Sequence, residues 1–126
     1  MTELEIKKTP STPKVWYSSD EATLRIEGRS FPENARDFYG PIIQWIESNT
    51  SNLGSLFTVS INLEYYNTAS SKFLMEIFHL LEKIQNTGDC KVTIQWHYME
   101  EDDDMRDAGL EYKQFIHVPF ELISFN

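Results

Sequence analysis

The 126-residue sequence predicts a single two-layer α/β domain, a mixed β-sheet carrying helices mainly on one face. Three observations point there. From Phe57 to Tyr65 the chain alternates without a break: Phe57, Val59, Ile61, Leu63 and Tyr65 on one side, Thr58, Ser60, Asn62 and Glu64 on the other. That period of two is a strand buried on one face. Directly after it the period lengthens, and Phe73, Leu74, Ile77, Leu80, Leu81 and Ile84 form one helical stripe. Residues 91–98 alternate again, Val92, Ile94, Trp96 and Tyr98 against Lys91, Thr93, Gln95 and His97. Strand, helix and strand in that order make a right-handed parallel crossover. Strands covered on both faces read as continuous apolar runs; these do not, so one face of the sheet meets water.

The other elements follow in order. Residues 1–13 end in Thr9-Pro10-Ser11-Thr12-Pro13, and two prolines favour an extended N-terminal arm. Residues 14–17 and 22–28 read as two short strands of an antiparallel hairpin, and residues 28–32 break the pattern. Asn34 is the expected cap of a first helix, with Asp37 near its positive end and Phe38, Ile42, Trp45 and Ile46 on its apolar face. Gly40-Pro41 predicts a kink or a restart, because proline removes a donor and clashes with the preceding turn. Residues 49–54 read as a polar loop. Thr87-Gly88-Asp89 stops the long helix, with Gly88 suited to a left-handed cap. After an acidic run from Glu100 to Asp104, a third helix to about Gln114 and a final strand beyond Pro119 complete the domain.

Composition narrows the function. With 11 Lys and Arg against 20 Asp and Glu, the formal charge is −9. Nucleic-acid binding rests on neutralising phosphates with cations, so neither nucleic acid nor an anionic membrane is an expected partner. The single cysteine, Cys90, allows no internal disulfide and no multi-cysteine metal site. No apolar signal core or membrane-length run is present, which predicts a cytoplasmic protein.

Chemistry-bearing residues gather between the long strand and its helix, in Asn67-Thr68-Ala69-Ser70-Ser71-Lys72. Open α/β sheets place their sites at this carboxyl end of a strand. Thr68, Ser70 and Ser71 suit helix capping, and capping alone could explain them. Lys72 adds a cation in a first turn where the helix dipole disfavours one by roughly 0.3–1 kcal/mol. A phosphate on a neighbouring hydroxyl would reverse that balance. Three readings compete: a phosphorylation-controlled adaptor; a small-ligand or nucleotide-binding module using Thr68–Ser71; and a hydrolase with Thr68 as nucleophile. The last needs an adjacent base, and only Glu64 and Lys72 are near in sequence, so enzyme activity is not expected. The acidic run lacks calcium-loop spacing, since Asp107 stands where a glycine is required. Asp102 to Asp104 therefore read as a helix cap, with no metal or other cofactor expected. His79, His97 and His117 have no ligand spacing and read as structural.

Three stretches, residues 26–34, residues 63–72 and Trp96-His97-Tyr98 with the acidic run, resemble the SiaC family of bacterial regulatory phosphoproteins. The Asn-Thr-x-Ser-Ser-Lys turn is the most specific of them. The resemblance implies a fold related to anti-sigma-factor antagonists and a switch rather than an enzyme. It further implies that a dedicated kinase phosphorylates Thr68 and a PP2C-type phosphatase reverses it. The unmodified form then binds and activates a diguanylate cyclase, in cyclic-di-GMP and biofilm signalling. Asn67, Ser70, Ser71 and Lys72 become the expected partner contacts.

Overall fold

Six strands form one sheet whose spatial order is the order of the sequence, among residues 3–126 described in the computed structural model. Met1 and Thr2, the first two residues of the expected arm, lie outside the described residues. The strands are β1 (Glu5–Ile6), β2 (Lys14–Ser18), β3 (Thr23–Ser30), β4 (Leu56–Tyr66), β5 (Lys91–Met99) and β6 (Phe120–Phe125). The helices are α1 (Ala35–Asn49), α2 (Thr68–Asn86) and α3 (Asp103–Phe115). β1, β2 and β3 pair antiparallel, while β3, β4, β5 and β6 pair parallel through α1, α2 and α3. The arm is thus partly sheet, with Glu5 and Ile6 opposite Trp16 and Val15.

Each parallel step moves one strand further in the same direction. Right-handed crossovers that never reverse put every helix on one face, which makes the domain two-layered. Register confirms which side chains share that face. Val15, Ile26, Ile61 and Trp96 are cross-strand neighbours, as are Leu24, Val59, Ile94 and Phe120, and all are buried in one core. The opposite face carries Arg25, Glu27, Ser60, Asn62, Gln95 and His97. On it Ser60 is still fully buried, its hydroxyl 3.0 Å from His97 Nε2.

Four expectations are corrected. The pattern does not break at Gly28: β3 runs on to Ser30. Gly28 has φ +134°, and a Cβ there would lie 3.3 Å from Pro13 Cα, so the arm crosses the sheet where no side chain stands. Pro41 neither ends nor restarts α1, which is one continuous helix. Pro41 faces solvent, and Tyr39, Ile42 and Ile46 beside it are fully buried. At about 1.5–3 kcal/mol per buried side chain, their burial exceeds the ~3 kcal/mol cost of an internal proline. The polar loop contains a 3-10 turn, Thr50–Asn52, and ends in Leu53, which is buried.

Tyr65 is the fourth correction. It is 48% exposed instead of facing the core. In the β3–β4 ladder Gly28 pairs with Leu63 but Arg29 pairs with Tyr65, so Glu64 is one residue too many. Such a bulge exchanges the two faces for everything beyond it. Tyr66, not Tyr65, therefore turns toward the helices, its ring edge-on to Trp96 at 5.9 Å.

Candidate functional site

α2 begins where that bulge leaves the chain. The Asn67 amide donates to the Ser30 carbonyl (2.9 Å), which fixes the end of β4 against the end of β3. The Asn67 side chain then caps the helix, accepting from the Ser70 amide at 2.8 Å. Of the four unpaired donors that open any α-helix, these bonds satisfy two. The amides of Thr68 and Ala69 have no acceptor among the described residues, and both residues are exposed. The tip of α2 thus presents two free N–H groups, the positive end of a 19-residue helix and the Thr68 hydroxyl together. No acidic residue occupies the first turn.

The neighbouring hydroxyls have separate tasks. Ser70 is fully buried; it bonds the Ser30 hydroxyl at 2.8 Å and donates to the Ser30 carbonyl at 3.1 Å. Ser30 in turn bonds the Tyr39 hydroxyl at 2.5 Å. Burial raises the Tyr39 phenol above its ordinary pKa, so this network stays neutral. It ties β3, α1 and α2 together beneath the helix tip. Among the expected partner contacts, Ser70 is therefore withdrawn from the surface. The Ser71 hydroxyl is half-way out and donates to the Thr68 carbonyl at 2.6 Å. Lys72 is exposed and makes no ion pair among the described residues. It sits four residues after Thr68, on the same face of the helix, where side chains are neighbours.

Thr68, Ser71 and Lys72 line one wall of an open groove of about 610 Å³. The other wall is α3, through Ala108, Glu111, Tyr112 and Phe115; Met75 extends the α2 wall, and Tyr66 at the end of β4 also lines the groove. The Tyr112 hydroxyl bridges the walls by donating to the Ser71 carbonyl at 3.2 Å. Burial raises the phenol pKa values of both Tyr66 and Tyr112, which remain protonated at neutral pH. Phe115 is 58% exposed at the rim. The sequence reading missed this wall, because nothing in residues 103–115 says which helix they face. A Tyr and a Phe three residues apart near the end of a polar helix were the available signal.

Nothing hydrogen bonds the Thr68 hydroxyl among the described residues, and neither Glu64 nor Lys72 is positioned on it. The groove therefore presents an exposed hydroxyl with donors around it. The acidic run does what a cap does: Asp102 accepts from the Met105 amide at 3.0 Å, and Asp103 pairs with Arg106 at 3.5 Å. No three His, Cys, Asp or Glu side chains converge as metal ligands among the described residues. Of the histidines, His97 faces Ser60, and His79 pairs with Glu82 at 2.9 Å. Glu82 also accepts from the His117 amide at 2.6 Å, so these residues tie α2 to the α3–β6 connection. No helix among the described residues is long and apolar enough to cross a membrane.

Known proteins share this arrangement along almost the whole chain. An uncharacterized protein of Pseudomonas aeruginosa strain UCBPP-PA14 is 30% identical over 122 residues, 97% of this chain and 96% of the relative. A chain in the crystal structure of diguanylate cyclase SiaD in complex with its activator SiaC, from Pseudomonas aeruginosa, superposes with a TM-score of 0.89. The identity is 29%, over 97% of this chain and 99% of that one. SiaC of the same organism gives 0.88 at 29% identity over 99% and 100%, and apo-SiaC gives 0.86 at 29% over 98% and 99%. The family model for SiaC family regulatory phosphoproteins matches residues 6–125, and the chain belongs to that family.

Proposed function

We propose that this chain is a cytoplasmic, phosphorylation-controlled activator of a diguanylate cyclase, with Thr68 as the switch residue. The observation that carries the proposal is the α2 tip. Among the described residues Thr68 is exposed beside two amides without acceptors and a lysine without an ion pair, in a groove that sets polar side chains of α2 against Tyr112 and Phe115 of α3. The likeness to SiaC, described as the activator of diguanylate cyclase SiaD, supports the choice of partner. In this reading a kinase adds the phosphate to the Thr68 hydroxyl and a PP2C-type phosphatase removes it; membership of a family of regulatory phosphoproteins supports a phosphate switch of this kind.

The physical switch is a change of sign between the free domain and the complex. In the free domain the phosphate meets helix N–H groups and Lys72, favourable by about 0.5–2 kcal/mol. In the complex the partner must strip water from a near-dianion without matched cations, and the repulsion from Glu111 across the groove, screened by water in the free domain, strengthens as that water is excluded. A net penalty of ~3–4 kcal/mol weakens binding several-hundred-fold. No change of fold is required. Asn67, Ser71 and Lys72 touch the partner through this tip, while Ser70 holds the tip in place.

Intact mass of the protein from its own host, followed by peptide mapping, tests the modification. One phosphate on Thr68 is the expected result; phosphate only at another residue, or none under any growth condition, contradicts it. A small-ligand reading would instead be favoured by a nucleotide retained in the groove through purification.

A further inference from the structure

The bulge that turns Tyr66 into the groove also turns Tyr65 out, and an exposed aromatic beside a proposed docking groove calls for a reason. Tyr65 does not stand alone. Phe31, 37% exposed, packs edge-on against it with ring centroids 6.0 Å apart. The Arg29 guanidinium lies 5.6 Å from the Phe31 ring. Arg29 is itself exposed and has no carboxylate within ion-pair distance among the described residues, in a chain of net charge −9. These three residues flank Ser30, whose carbonyl and hydroxyl hold the first turn of α2. A shallow depression lined by Tyr65 is also lined by Tyr66 and Ala108, which line the Thr68 groove as well. The two surfaces are therefore continuous around the carboxyl end of the sheet.

We propose that Arg29, Phe31 and Tyr65 form a second contact for the same protein partner that docks at Thr68. This rests on the regulatory reading above and extends it. The ring pair takes an apolar side chain of the partner, and Arg29 takes an acidic group beside it. Tyrosine and arginine are the residue types that carry binding energy at protein interfaces, where a rigid ring and a planar cation lose little conformational freedom. The chemistry is complementary to that of Thr68. The groove responds to phosphate on Thr68, whereas Arg29, Phe31 and Tyr65 lie outside the lining of that groove. It supplies affinity in both states and leaves Thr68 to set the difference between them.

The test is binding of the purified diguanylate cyclase that the wild-type chain activates, measured against unmodified and Thr68-phosphorylated protein. Tyr65→Ala and Phe31→Ala are each expected to weaken binding by about thirtyfold or more, and Arg29→Gln by about tenfold. Thermal midpoints and the kinase's ability to modify Thr68 should stay unchanged. The ratio of affinities between unmodified and phosphorylated forms should also match that of the wild type. Arg29→Glu leaves the ring pair in place and keeps the test decisive if an aromatic truncation disturbs the fold. Wild-type binding with all four variants within twofold of it overturns the second contact alone. A wild-type chain that binds no cyclase overturns the regulatory reading first, and the patch falls with it.

Discussion

Two neighbouring hydroxyls at the start of α2, two residues apart, are separated by burial into an exposed one, the proposed switch, and a structural one. Thr68 is exposed and its hydroxyl is unbonded among the described residues; Ser70 is fully buried and tied to Ser30. Ser70→Ala removes a donor and leaves the Ser30 carbonyl without it. This should lower stability by about 1–2 kcal/mol, read as a denaturant midpoint, without preventing phosphorylation of Thr68. A Ser70→Ala protein of wild-type stability would show that the buried network holds nothing. From sequence, the helix start was legible because cap chemistry is local, although the cap is Asn67 and the Thr68 hydroxyl caps nothing among the described residues. Ser70 was not, since its partners lie 31 and 40 residues away at Tyr39 and Ser30. The same holds for Tyr65: its alternation is perfect, and only the pairing with β3 shows that Glu64, in its own strand, is the extra residue that exposes it.

At the scale of elements, α3 is the piece whose placement makes the groove, and one glycine sets its distance from the sheet. A Cβ on Gly109 would come 2.4 Å from Trp96 Cδ1 and 2.7 Å from its Nε1. The indole cannot move aside readily: it is fully buried and donates to the Met105 carbonyl at 2.9 Å. Gly109→Ala gains about 1 kcal/mol of helix propensity and loses up to ~3 kcal/mol to overpacking. A net loss of about 2 kcal/mol should appear in the unfolding midpoint, with a changed Trp96 fluorescence. A neutral or stabilised variant would mean that α3 sits further from the sheet than described. The existence of α3 was legible from Asp102 to Asp104 as cap and first turn. Its neighbours were not, because periodicity gives a face without saying what the face meets. Of the kink or restart that Pro41 suggests, the restart is excluded for a related reason: local propensity does not register the burial of Tyr39 next to it.

For the whole molecule, the two-layer plan was legible in the alternation of β4 and β5, and the unreversed strand order supplies its cause. The plan leaves a polar sheet face on which His97 is half-buried against Ser60. Burial lowers the pKa of that imidazole. A base whose folded pKa is depressed contributes stability fully above its unfolded value, near 6.5, and loses it as pH falls through the folded value. Glu82 acts in the same direction lower down: hydrogen bonding to His79 lowers its pKa, so its contribution is lost below about 4.5. Stability should be level between pH 8 and 7 and decline on acidification, and His97→Gln should flatten the first part of the decline. A wild-type chain that gains stability between pH 7 and 5.5 would contradict this. None of these features requires the fold to rearrange on phosphorylation of Thr68, so the proposed switch is open to one direct measurement. Affinity for the activated diguanylate cyclase is compared among unmodified protein, protein phosphorylated at Thr68, and Thr68→Ala after the same kinase treatment. Unmodified protein and Thr68→Ala should bind alike, and the phosphorylated form several-hundred-fold more weakly. Equal affinity of the phosphorylated and unmodified forms would contradict the role given to Thr68.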